Sequence, residues 1–290
     1  MQNKLIQFKK QRDLGAILGD TFSFLRNEWK QLFTLIFKIA GPALILVVAS
    51  YIFYMSTTLG SFADLTNPSG PIGNFTFNAV LAILLMLCSI IAFYALLYGT
   101  ILNYIKSYIK NNGIVDVNEV RVGVRSKFWS LIGLSFLVAL ITGVGIVFCV
   151  IPGIYLGTVL ITTYAIHVFE DRDVMDTISY SFQLIKGEWW ITFATLLVMF
   201  ILYYIILMIF NIPQYIYMFI KMFTIAEQAS PDPTSMFDTV YIILNAIAVV
   251  AQYLLHTVIV ICAVFVYFNL NEKKNFTGTM ETIDAIGTQE

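Results

Sequence analysis

Charge is scarce in this chain. Only 12% of its 290 residues are Asp, Glu, Lys or Arg, about half the share in ordinary soluble domains. The formal net charge is −1, so the total says nothing about partners; the basic residues gather in juxtamembrane clusters and form no nucleic-acid face. There are only two histidines and three cysteines, too few and too scattered for a zinc site of ordinary ligand spacing. Cys88, Cys149 and Cys262 each fall inside an apolar run, where a thiol behaves as a small hydrophobe and no disulfide framework is expected. P-loop, nucleophile-elbow, G-x-G-x-x-G and H-E-x-x-H patterns are missing. No catalytic residue, cofactor or metal is therefore predicted, and the chain is read as not an enzyme. A cleavable signal peptide is not expected either. The first 30 or so residues are charged and amphipathic, and the apolar run that starts near Phe33 is too long for a signal core.

Hydrophobic residues are abundant, at 59%. They gather in six runs near 33–55, 77–101, 130–150, 154–169, 191–212 and 240–268. A hydrocarbon core of about 30 Å is crossed by about 20 helical residues. Five runs reach that length, and 154–169 is short. Long uncharged runs in lipid imply helices, because the backbone must satisfy its own hydrogen bonds. A membrane barrel would show short alternating segments, and these runs are continuous. The predicted fold is all-α: a polytopic membrane bundle of six transmembrane helices in three hairpins, forming one domain over 1–270. A polar cytoplasmic tail, 271–290, is expected to be disordered. Connections at 56–76 and 222–238, with Pro68, Pro71, Pro231 and Pro233, are expected to be flexible.

Basic residues set the orientation. They precede the first run (Lys9, Lys10, Arg12, Arg26, Lys30), follow the second (Lys106, Lys110, Arg121, Arg125, Lys127), flank the fourth-to-fifth connection (Arg172, Lys186) and follow the sixth (Lys273, Lys274). The other connections are nearly free of them. The positive-inside rule places these segments and both termini in the cytoplasm. All four tryptophans, Trp29, Trp129, Trp189 and Trp190, stand at the starts of the first, third and fifth runs, as anchors at the inner headgroup level. Lys38 is expected to snorkel to that level. The basic clusters imply contact with anionic headgroups, at about 1 kcal/mol per residue near the surface.

The polar segments contain a repeat. Residues 12–33 slide onto 172–193 without a gap: Arg12 meets Arg172, Asp13 Asp173, Phe22 Phe182, Glu28 Glu188, Trp29 Trp189 and Phe33 Phe193. Leu14, Ile17, Leu18, Phe22 and Leu25 form an apolar stripe at helical spacing, and Val174, Ile178, Phe182 and Ile185 form its counterpart. Such stripes suit helices lying in the membrane interface. Interfacial helices are expected near 12–28, 116–128 and 172–187, each preceding one hairpin. The tightest turn is expected at Pro152-Gly153, since proline fixes one dihedral and glycine frees the next.

Ile151-Pro152-Gly153-Ile154-Tyr155, then Phe169-Glu170, then Ser179 to Trp190 (SYSFQLIKGEWW) resemble a multi-pass bacterial family typified by the membrane domain of glycerophosphoryl diester phosphodiesterases. Arg12-Asp13-Leu14-Gly15 is similar to the opening of stand-alone members. The resemblance is sharpest over 150–190. It implies a six-helix protein of the bacterial inner membrane, without the catalytic barrel and without its activity.

Polar groups at membrane depth are the default place to look for function. Asn245, Gln252 and His256 share one face of the last run and form the candidate polar site. Helix-to-helix hydrogen bonding is the structural alternative, worth about 0.6–2 kcal/mol in membranes. His167 and Glu170, one turn apart, are expected to pair with groups such as Arg172 or Lys186. Two functional readings follow. One is a non-enzymatic accessory, scaffold or envelope-homeostasis component with a membrane-protein partner. The other is a small transporter or lipid-handling protein that uses the stripe on the last helix.

Overall fold

A computed structural model describes residues 5–65, 72–226 and 237–287. The described residues are overwhelmingly helical, with no strand among them. The helices are α1 (Leu14–Ile39), α2 (Gly41–Leu65), α3 (Ile72–Lys110), α4 (Val117–Phe148), α5 (Val150–Leu160), α6 (Thr163–Phe169), α7 (Val174–Ile185), α8 (Trp189–Ala226), α9 (Thr239–Asn275) and α10 (Thr277–Gly287). Five spans are long and apolar enough to cross a membrane, or six if the broken α1–α2 pair counts as one. An all-α polytopic bundle is therefore what the chain forms.

Proline decides where two runs break. A proline ring clashes with the carbonyl four residues earlier and donates no hydrogen bond. Pro42 sets that clash at Lys38, and α1 ends at Ile39 with Ala40 N–H closing on the Ile36 carbonyl at 2.7 Å. Pro152 sets it at Phe148, the last residue of α4. The chain reverses at extended Cys149, so the tight turn lies there. Pro152 and Gly153 sit just after it, in the first turn of α5, where a missing N–H costs little. Pro213 lies inside α8, which continues through it.

Helix lengths depart from the runs. The fifth run, expected to end near 212, belongs to a helix of 38 residues, about 57 Å long at 1.5 Å per residue. The third candidate span covers Val150–Phe169 as α5 and α6 together. It thus gains the length that 154–169 lacked. Of the three expected interfacial helices, only α7 is separate. Gly187, at φ 88°, ends it before Trp189, a conformation glycine adopts without strain. The position two before the tryptophan is Asn27 in the first copy and Lys127 in the second, so α1 and α4 run on without a stop. Pro68, Pro71, Pro231 and Pro233 lie outside the described residues.

The chain divides into two compact units. The first holds the residues up to Ala40, then Tyr94–Ile201, and those from Thr257 onward. Its core is the C-terminal half of α9, buried at every residue from Thr257 to Glu272. Phe8 is buried beside it, stacked on Phe265 at 4.6 Å and edge-on to Phe24 at 5.3 Å. Arg12 fastens the same segment. Its side chain is fully buried, lies over the Phe265 ring, bonds Asp20 at 2.9 Å and donates to the Phe8 carbonyl at 2.6 Å.

The tail is ordered by Glu272, which contradicts the expected disorder. Its carboxylate accepts from Gly278 N at 2.7 Å, Thr279 N at 3.0 Å and the Thr279 hydroxyl at 2.6 Å, and so starts α10. Burial works to raise the Glu272 pKa, but the bonds from Thr279, Gly278 and Thr277 outweigh it and hold the group below its ordinary value.

The repeat has a shared burial pattern. Ile17, Thr21 and Phe24 are buried in α1, and Thr177, Ser181 and Leu184, 160 positions later, are buried in α7. Thr21 and Ser181 each return their hydroxyl to a carbonyl of their own helix, at 2.7 Å in both. Of the expected apolar stripe, Ile17 and Ile185 are buried and the other members are half-buried. The buried face is centred about one position over and carries small hydroxyls.

The second unit holds Gly41–Phe93 and Leu202–His256. Phe93 meets Tyr253 edge-on at 5.2 Å, and Ser50 bonds Ser89 at 2.8 Å. Two polar side chains of α8 beyond Pro213 find partners there, although Gln214 Oε1 is buried without one. Gln214 donates to the Tyr241 hydroxyl at 3.2 Å, and Lys221 pairs with Asp238 at 2.7 Å.

Candidate functional site

The stripe proposed on the last run lies within the second unit. Asn245 accepts a hydrogen bond from the Tyr51 hydroxyl. Gln252 turns an exposed side chain outward, while its backbone carbonyl accepts from Tyr203 at 3.3 Å. His256 is half-buried. The two cavities described, of about 500 and 350 Å3, are lined by first-unit residues. Asn245→Leu is expected to cost roughly 0.6–2 kcal/mol through loss of the Tyr51 bond. Unfolding by graded denaturant in micelles measures it, and Tyr51→Phe should reproduce most of the loss.

The tryptophans divide in a way that their positions do not reveal. Trp29, Trp129 and Trp190 are exposed, as anchors must be. Trp189 is packed instead, between Tyr155 at 5.5 Å and Phe193 at 5.2 Å, both rings stacked on it. Among the thiols, Cys262 is buried as expected, whereas Cys88 and Cys149 are exposed; all three are free.

His167 and Glu170 serve as ties between helices. His167 Nδ1 donates to the Arg172 carbonyl at 2.7 Å, and Nε2 lies 2.8 Å from the Ser130 hydroxyl of α4. Glu170 takes Arg172 on one oxygen at 2.6 Å and the Tyr267 hydroxyl of α9 on the other at 2.9 Å. Arg172 in turn covers the Tyr180 ring at 3.9 Å. Among the described residues no group of His, Cys, Asp or Glu is arranged to hold a metal.

The larger cavity, about 500 Å3, lies in the first unit between the end of α3 and the start of α4, with the α6–α7 loop at one side. Close approach of the helices is permitted by Gly123, where a Cβ would stand 2.2 Å from Asn103 Oδ1. The two ends differ in charge. At one, Lys110 meets Glu119 at 2.5 Å, and the same carboxylate accepts from Ser107 and Asn111. At the other, two ammonium groups share one carboxylate: Lys106 at 3.2 Å and Lys127 at 2.9 Å from Asp171. Hydrogen bonding from Lys127, with help from Lys106, holds the Asp171 carboxyl below its ordinary range against a smaller cost of burial. Asp171 adopts φ 54°, a left-handed conformation that Asp tolerates better than most residues. The sequence shows these lysines only as part of a basic cluster. Their convergence depends on the α6–α7 turn, for which the sequence offers no sign beyond Glu170-Asp171.

No family model matches the chain. Curated proteins and solved structures likewise give no match.

Proposed function

We propose that this chain is a non-enzymatic accessory or scaffold protein of the bacterial inner membrane, with both termini in the cytoplasm. One observation carries the reading. The polar groups near the inner ends of the spans are spent on joining helices: His167 to α4, Glu170 to α9, Lys273 to Glu188 at 2.7 Å, and Tyr104 to Glu28 at 2.7 Å. Groups so engaged build a rigid platform, as satisfied buried networks do. Supporting it are the basic clusters on one side of the runs, the exposed Trp29, Trp129 and Trp190, and the resemblance over 150–190 to the membrane domain of glycerophosphoryl diester phosphodiesterases. Interfacial placement of α1 and α7, and contact with anionic headgroups, belong to the same reading.

A second reading, lipid handling or transport, is favoured by the breaks at Ala40 and at Ile161–Thr162, since discontinuous helices accompany substrate paths in transporters. Native mass spectrometry after mild detergent extraction separates the two. The scaffold reading expects a protein partner at fixed stoichiometry. A bare protein holding one defined phospholipid, lost in Gln252→Ala or His256→Ala, would favour the second.

A further inference from the structure

The geometry points to the Lys106–Lys127 end of the α3–α4 cavity as a binding site for a phosphate group, with Asp171 as its internal competitor. The inference rests on the proposed membrane reading for the source of the ligand, but its geometry stands alone. Two ammonium groups on different helices, both less than half exposed, meet a single carboxylate, which leaves one positive charge in excess beside a cavity of about 500 Å3. At the other end Lys110 pairs with Glu119 and Asp116 adds a second carboxylate, so the excess positive charge is confined to the Lys106–Lys127 end. Lys106 is also held by the Val168 carbonyl at 2.8 Å, so it keeps its place when Asp171 leaves. The Asp171 side chain is 60% exposed and sits on a loop, free to swing out.

A phosphate carries more charge than a carboxylate and has oxygens enough to accept from both lysines at once. It therefore replaces Asp171 between them. Asp171 keeps the lysine pair compensated while the site is empty. Two sources share this chemistry: the headgroup of an anionic phospholipid, and a soluble phosphate or phosphate ester from the cytoplasm. Lys106 and Lys127 were part of a diffuse basic cluster in the sequence; in the fold they are the two arms of one clamp.

The test uses the full chain in detergent and isothermal titration with two probes, dihexanoyl-phosphatidylglycerol and inorganic phosphate. Saturable binding is expected. Affinity should fall roughly tenfold or more in Lys106→Gln/Lys127→Gln, given about 1 kcal/mol per lysine toward an anionic headgroup. It should rise severalfold in Asp171→Asn and stay unchanged in Lys110→Gln. Binding of the lipid probe alone assigns a headgroup; comparable binding of inorganic phosphate assigns a soluble ligand. The inference is overturned if wild type binds neither probe, if the double variant binds as well as wild type, or if Asp171→Asn binds more weakly. Should the double variant fail to fold, Asp171→Asn decides by itself. Titration in micelles is independent of topology and of any protein partner, so its failure is separable from failure of the scaffold reading.

Discussion

Gly153→Ala is expected to destabilise the folded protein by roughly 1–3 kcal/mol, the range for overpacking a close contact. A Cβ at this position would stand 2.8 Å from both Cα and N of Ile146 and 2.4 Å from its Cγ1. The Ile146 side chain has room to turn away, being exposed, but the backbone cannot. Relief requires α5 to part from α4 at the very turn where their approach is tightest. Gly145 contributes from the other side, since a Cβ there would stand 3.1 Å from Gly153 Cα. Gly143→Ala is the matched control: nothing lies within 4 Å of its Cβ, and replacement of a helical glycine there should be neutral or slightly stabilising. Unfolding of the two variants in the same detergent, followed by circular dichroism, checks the difference.

Arg12→Ala is expected to cost about 2–4 kcal/mol, somewhat less than breaking a fully buried pair because its partner is partly solvated. The guanidinium side chain is fully buried, and Asp20 retains 28% of its exposure. Its removal takes the Arg12 donor from the carbonyls of Gln7 and Lys10, leaves Asp20 with only the longer Lys10 pair at 3.4 Å, and opens a gap over Phe265. Arg12→Lys should recover only a minority of the loss. An ammonium supplies one point of charge, whereas the planar fork donates in several directions and stacks on the ring. Hydrogen exchange provides a second readout: residues 5–12 should lose protection in Arg12→Ala before the α9 core does. The segment beside Arg12 also abuts the tail, where Gly278 lies against the Lys9 backbone, so α10 should loosen in the same variant.

Helix type, and the presence of a break close to Pro152, were legible from the residues because both follow from local chemistry. Hydrophobic runs of this length imply helices in lipid, and a proline marks where a helix stops by its own sterics. Helix ends were less legible. A run ends at its first charged residue, but a helix does not: α3 continues to Lys110 because Asn103 bonds the Gly99 carbonyl of its own helix, Lys106 reaches Val168 of α6 and Asp171 of the α6–α7 loop, and Ser107 bonds Glu119 of α4. Separation of an interfacial helix from its span turned on Gly187 alone, which only the third copy of the repeat possesses. The order in the tail was hidden for a related reason. Glu272 reads as one more polar residue, and its capping role appears only once the chain has bent back at Phe276, φ 52°. Helical periodicity puts Asn245, Gln252 and His256 on one face of α9. The larger cavity lies where separate helices meet, between residues 65 positions apart in Lys106 and Asp171, and periodicity within one helix carries no information about such pairs.

Cysteine accessibility in spheroplasts tests the central claim, that the hairpins start from the cytoplasmic face. The exposed native Cys149 marks the α4–α5 turn. With Cys88 and Cys262 replaced by serine, a membrane-impermeant maleimide should label Cys149 in intact spheroplasts. In a background lacking all native cysteines, Ser126→Cys, on the exposed surface of α4 ahead of Trp129, should react only after lysis. Labelling of Ser126→Cys in intact spheroplasts, with Cys149 reached only after lysis, would contradict the account.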